Sequence, residues 1–305
     1  MWTQLICLAI AGAALIASPA MAQENARQEA ARRAKALKTL PPDAARRLFG
    51  QVTTAAPGAG HAVGFYSRGC YSGGVQMTNT GETWQVMRLS RNRSWGTPRL
   101  VRFLQKFSAD AARVTGWQGI LIGDMAQPRG GPMLTGHASH QLGIEADIWL
   151  RPMTDRVYSA AEREEISSTD LVRRDKLDID PRTYTASHVQ LLKLAASNSQ
   201  VARVFVNPAI KKALCRDAGA DRAWLRKIRP TWGHNYHFHV RLSCTSSESC
   251  RNQPPPPPGD GCGKELDWWF RPEVLHPKPR PPGKPPRALT MADLPPACQA
   301  VLQAP

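Results

Sequence analysis

Five of the eight histidines in this chain fall in two short segments. The first, HASHQLGIEAD, holds His137, His140 and Asp147. The second, HNYHFH, supplies His234, His237 and His239. Neutral imidazole and carboxylate are the usual ligands of a catalytic Zn²⁺, which takes three protein ligands and keeps one position open to water. A lone histidine is more often structural, and His61, His188 and His276 read that way. Two clusters with an Asp between them favour a metal, provided the fold brings them together.

The spacing suggests a division of labour. His237 and His239 stand two apart on a predicted strand, Tyr236 to Leu242, so both side chains project from one face. Arg241 continues that face, while Phe238 and Val240 turn to the other. His140 and Asp147 flank a turn at Gly143, which lets both reach one ion. The expected ligand set is His140, Asp147 and His239, plus water. His237 is the expected general base, taking the water's proton and passing it to a leaving amine. His234 would assist or orient the water. Strand geometry also permits the exchange of His237 and His239. Trp224, Trp232 and Tyr236 read equally as core or as a substrate wall. Asp175 to Asp178 reads as a solvated loop rather than a ligand pair.

Other chemistries fit poorly. HExxH, Ser-x-x-Lys and Gly-x-Ser-x-Gly are all absent. A thiolate nucleophile has no candidate either, because the cysteines look paired.

The elements that must position these residues follow in order. An apolar run from Leu5 to Ala17 ends in Ala20-Met21-Ala22, the pattern of an export signal over residues 1–22. No later stretch is long and apolar enough to cross a membrane. Removal of Cys7 leaves six cysteines, an even set that suggests disulfides in an oxidising compartment, with fifteen pairings open. Residues 23–58 form a basic extension in which Glu24 to Leu40 either makes a short helix or stays disordered. Residues 59–246 carry the periodic segments. Pro98 opens an amphipathic helix with Leu100, Val101, Leu104 and Phe107. Ile120 to Ile122, Ala146 to Leu150 and Val201 to Val206 read as strands, and Tyr184 to Ser197 as a helix. Residues 151–183 read as polar loop. Asn207-Pro208 caps one more helix. Residues 247–305 form a Pro-rich tail that cannot build a core alone and is expected to be stapled back by its cysteines.

The charge is 40 − 24 = +16, with a pI near 10.0. Such a balance first suggests nucleic acid. An exported protein meets little of it, and the cell wall and membrane surfaces are anionic too, so the charge suggests an acidic partner without naming it.

Several long, ordered segments resemble the penicillin-insensitive murein endopeptidases. They are LIGDM (Leu121 to Met125), GHASHQLGIEADIWL (Gly136 to Leu150), VFVNPAIKKALC (Val204 to Cys215), DAGADRAWLRKIRP (Asp217 to Pro230), HFHVRL (His237 to Leu242) and GDGCG (Gly259 to Gly263). The resemblance runs from about Gly64 to Leu302 and leaves the basic extension outside. It implies an α+β fold: a central antiparallel sheet carrying a zinc site, flanked by helices, with the tail tethered by disulfides. It implies cleavage of the D-alanyl–meso-diaminopimelate cross-link of peptidoglycan in the periplasm. It assigns His140, Asp147 and His239 to zinc and His237 to catalysis. It also points to a second metal held by His137 and Asp175. Where the family has a histidine this chain has Asp178, whose carboxylate can also ligate zinc. The pairings implied are Cys70–Cys298, Cys215–Cys262 and Cys244–Cys250. The rival readings are a D,D-carboxypeptidase or dipeptidase on the same fold, and a non-catalytic wall-binding metalloprotein. Three ligands and a polar neighbour suit an open site, whereas structural zinc is closed.

Overall fold

In the computed structural model, which describes residues 19–279, 283 and 286–305, the two histidine segments run into adjacent strands of one sheet. The expected export signal lies outside the described residues as far as residue 18. The strands are β1 (His61–Phe65), β2 (Arg68–Ser72), β3 (Val75–Gln76), β4 (Trp84–Val86), β5 (Trp95–Gly96), β6 (Ile120–Ile122), β7 (Glu145–Pro152), β8 (Val201–Val206), β9 (Ile228–Pro230), β10 (His237–Leu242) and β11 (Ser249–Cys250). The helices are α1 (Pro19–Thr39), α2 (Ala45–Gly50), α3 (Pro98–Thr115), α4 (Ala160–Glu165), α5 (Ala186–Ser197), α6 (Pro208–Asp217), α7 (Lys264–Asp267), α8 (Pro272–Leu275) and α9 (Ala297–Gln303).

The central sheet has the order β4-β6-β7-β10-β8-β9. Its inner pairings are antiparallel, as expected, but both edge pairings, β4 with β6 and β8 with β9, are parallel. The sheet is therefore mixed. The edge strands are short and enter by crossovers rather than hairpins, which is why hydrophobic alternation alone did not reveal them.

Period-two alternation divides the sheet into an apolar face and a chemical face. Phe238, Val240 and Leu242 of β10, with Ala146, Ile148 and Leu150 of β7, are buried in the main core. Helices α3 and α5 pack on that side. Thr97 caps α3 by accepting from the Leu100 amide, Pro98 supplies its first turn, and Gly116 at φ 72° ends it. Its buried residues Leu100, Phe103, Leu104, Phe107 and Ala111 follow the helical period. Phe107 meets Phe238 edge-on, with centroids 6.4 Å apart. The opposite face carries Glu145, Asp147, His237, His239 and Arg241, all buried.

The 151–183 segment is not all loop. A Ser159–Glu162 capping box nucleates α4 there. The basic extension forms α1, which packs against α4 and buries Glu29. In the tail, β11 pairs with β1 in parallel, and α9 joins α2 in a second small core around Phe49, Val63, Leu294 and Val301. All three implied disulfides are present. Cys70–Cys298 spans 228 residues of chain and ties the tail to β2. Among the described residues no helix is long and apolar enough to cross a membrane.

Candidate metal centre

Strand register sets the site. His239 lies directly opposite Asp147, and Arg241 opposite Glu145, across the antiparallel pair β7–β10. The loop before β7 adds His137 and His140. His140 adopts φ 66°, and Gly143 at φ 65° lets the turn close against Tyr71, whose ring lies 2.8 Å from where a Cβ would stand. The amide of His140 donates to Glu145 Oε2 at 2.8 Å, which fixes the loop to the strand.

The Asp147 carboxylate is the hub. Its Oδ1 lies 3.3 Å from His140 Nε2 and 3.4 Å from His239 Nδ1. Its Oδ2 lies 3.6 Å from both His137 Nδ1 and His237 Nε2. Burial works against the charge on Asp147, but His237, His140 and His137 outweigh it and hold its pKa well below the usual carboxylate range. Both ring nitrogens of His140, Oδ1 of Asp147 and Nδ1 of His237 are buried without a hydrogen-bond partner. Orphaned polar atoms of this kind are costly in a folded interior, and a cation held between His140 Nε2 and Asp147 Oδ1 would satisfy those two. The donor set, imidazole and carboxylate, suits zinc. His137, His140 and Asp147 can each offer a ligand atom, all within 4.8 Å of one another. His239 reaches the same carboxylate from the strand.

Two carboxylates stand behind the histidines. Glu145 Oε1 accepts from His239 Nε2 at 2.7 Å, which leaves Nδ1 turned to Asp147. Burial works against the Glu145 charge, yet Arg241 and His239 bring its pKa down to about 2. Burial likewise opposes a charged His239, and Glu145 and Asp147 raise its pKa regardless. Asp124 Oδ2 lies 2.9 Å from His137 Nε2 and also accepts from Arg91 and Arg93 at 3.0 Å each. Arg93 lies 3.9 Å from Glu29 of α1, so the basic extension supports this side of the site. Sequence reasoning missed both acids. Glu145 sits two residues before Asp147, hence on the same strand face, and Asp124 lies in the Gly-Asp turn after β6.

The remaining candidates separate. His237, near the surface of the cluster, faces the cleft, and burial lowers its pKa against the pull of Asp147. The His234 ring lies tilted against His237, with centroids 4.8 Å apart, and its Nδ1 lies 3.0 Å from the Trp232 carbonyl. Burial, chiefly, and then His237 bring the His234 pKa down to about 4. Asp175 and Asp178 do not join the cluster. Asp175 pairs with Arg173, and Asp178 with Arg216 and Lys212. Trp224 is core, while Tyr236 is exposed and lines the cleft. The cleft encloses about 310 Å³ between Arg88, Arg91, Trp149, Ser168, Asp170 and Tyr236.

A family model described as penicillin-insensitive murein endopeptidase matches residues 62–303. Curated proteins of that name from Salmonella heidelberg (strain SL476), Salmonella typhi and Salmonella newport (strain SL254) are each 44% identical over 253 residues, covering 83% of this chain and 89% of theirs.

Proposed function

Because the chain belongs to the penicillin-insensitive murein endopeptidase family, we propose that its metal is zinc and that it cleaves the D-alanyl–meso-diaminopimelate cross-link. The protein is a peptidoglycan-hydrolysing metallopeptidase. Its disulfides agree with a site of action outside the cytoplasm, and the proposed compartment is the periplasm.

The observation that carries the assignment is the split of ring nitrogens between the two oxygens of Asp147. His140 Nε2, His239 Nδ1 and Asp147 Oδ1 would hold the ion. Bound zinc supplies a Lewis acid for the scissile carbonyl and lowers the pKa of water towards neutrality. Glu145 keeps the proton of His239 on Nε2, so that Nδ1 stays a lone-pair donor. His237 takes the proton of the attacking water at Nε2 and returns it to the leaving amine. An O–C bond forms, the amide C–N bond breaks, and the products are a carboxylate and an amine. Asp147 Oδ2 steadies the His237 imidazolium formed between the two transfers. Arg88 and Arg91 give the cleft positive charge for the carboxylates of wall peptides. A second metal between His137 and the Asp175–Asp178 loop has less support, because those carboxylates are engaged by basic side chains.

Purified cross-linked dimer and monomeric pentapeptide distinguish the bond. Release of monomers from the dimer, read by mass spectrometry, is the expected result, abolished by exhaustive chelation and indifferent to β-lactam. Loss of only a terminal D-alanine would instead identify a D,D-carboxypeptidase. Full activity with metal absence verified would overturn the metal mechanism.

A further inference from the structure

A second cavity, of about 540 Å³, adjoins the catalytic cleft. Asp170 lines both. Asn235 donates to Asp170 Oδ2 at 2.5 Å, and the Leu171 amide donates to the Asn235 carbonyl at 2.9 Å. This pinned pair, with the turn through Gly233 and His234, is the partition between the two spaces. His237 stands on one side and Trp232 on the other. The far wall comes from the tail, through Val274, Leu275 and Pro277.

The lining combines apolar and cationic side chains. Trp232 is exposed and braced edge-on by Trp269, with centroids 5.3 Å apart. Arg173 is paired with Asp175, but Arg174 and Lys176 are exposed and meet no carboxylate among the described residues. Two uncompensated cations beside an aromatic plate suit a ligand with apolar side chains and free carboxylates.

We propose that this cavity is a binding subsite for the second stem peptide of a cross-linked dimer. The inference rests on the endopeptidase reading given above. A cross-link has peptide on both sides of the scissile amide, so a site that cleaves it must accommodate two arms. The catalytic cleft, with Arg88 and Arg91, takes one arm, and the cavity beyond Asp170 takes the other. The arm's carboxylates lie against Arg174 and Lys176, and its methyl groups against Trp232. A terminal D-alanine has no second arm to place there, so the subsite favours internal over terminal bonds.

The test compares the full-length zinc-loaded protein with an Arg174→Ala, Lys176→Ala double variant, both changes being at exposed side chains. On cross-linked dimer the variant should raise KM roughly tenfold, two exposed charge contacts being lost. On the same dimer with its carboxylates amidated, the rise should be much smaller. Trp232→Ala should raise KM on both substrates. An unchanged KM on the acid dimer, or an equal rise on the amidated one, overturns the subsite while leaving the endopeptidase reading intact. A wild-type protein that does not cleave the dimer at all brings down both.

Discussion

The two oxygens of Asp147 look onto flanks made of the same residue types, and the flanks differ in what stands behind them. On the Oδ1 side His140 is fully buried, His239 is 5% exposed, and Glu145 grips both the His239 ring and the His140 amide. On the Oδ2 side His137 is 25% exposed and His237 is 11% exposed. Only His137 has a carboxylate behind it there, and His237 opens to the cleft. The same four imidazoles thus divide into a dry pair and a wetter pair, and of the wetter pair His237 opens to the cleft. Burial and openness to the cleft distinguish the flanks, not residue type.

Substitutions on the two flanks put this division at risk. The largest effect is expected from His239→Ala, which should lose metal and turnover together because a ligand is gone. His237→Ala should keep near-stoichiometric zinc and lose about 10²–10⁴-fold in turnover. Metal content and rate measured on both variants decide the matter. A folded but metal-free His237→Ala protein would exchange the two roles. Glu145→Gln should weaken zinc affinity by about 10–100-fold, with activity recovered in excess zinc. Asp124→Asn has the smallest expected effect, about tenfold in turnover at saturating zinc, since His137 loses its partner but the ligands keep theirs. If Asp124→Asn empties the site as readily as Glu145→Gln, the flanks are equivalent and the comparison fails.

Much of this was legible in the sequence because strand alternation is a short-range code. The spacing of His237, His239 and Arg241 gave a common face, and Phe238 and Val240 gave the core face. Less visible was anything that depends on register between distant segments. That His239 faces Asp147 and Arg241 faces Glu145 follows from pairing β7 with β10, which neither strand encodes alone. Local composition read the Asp175–Asp178 loop as solvated rather than ligating, and its carboxylates are taken up by nearby arginines and a lysine, whereas the second metal was an expectation of the resemblance alone. Local composition left undecided the basic extension, which forms a helix and delivers Glu29 to Arg93 behind the site.

The cysteine pairing has a consequence for the order of events in biogenesis. The bridges are not sequential: Cys70 joins Cys298, while the bonds Cys215–Cys262 and Cys244–Cys250 nest inside that span. A chain crossing N-terminus first into an oxidant presents Cys215 to Cys70 long before Cys298 arrives. Oxidation by order of appearance therefore joins the wrong sulfurs, and only attack of a thiolate on that bond can recover the native set. The alternative is a chain whose thiols remain reduced until α9 has docked on β2. A hydrolase that would damage the wall if active too early thus finishes its covalent assembly only after its tail has arrived.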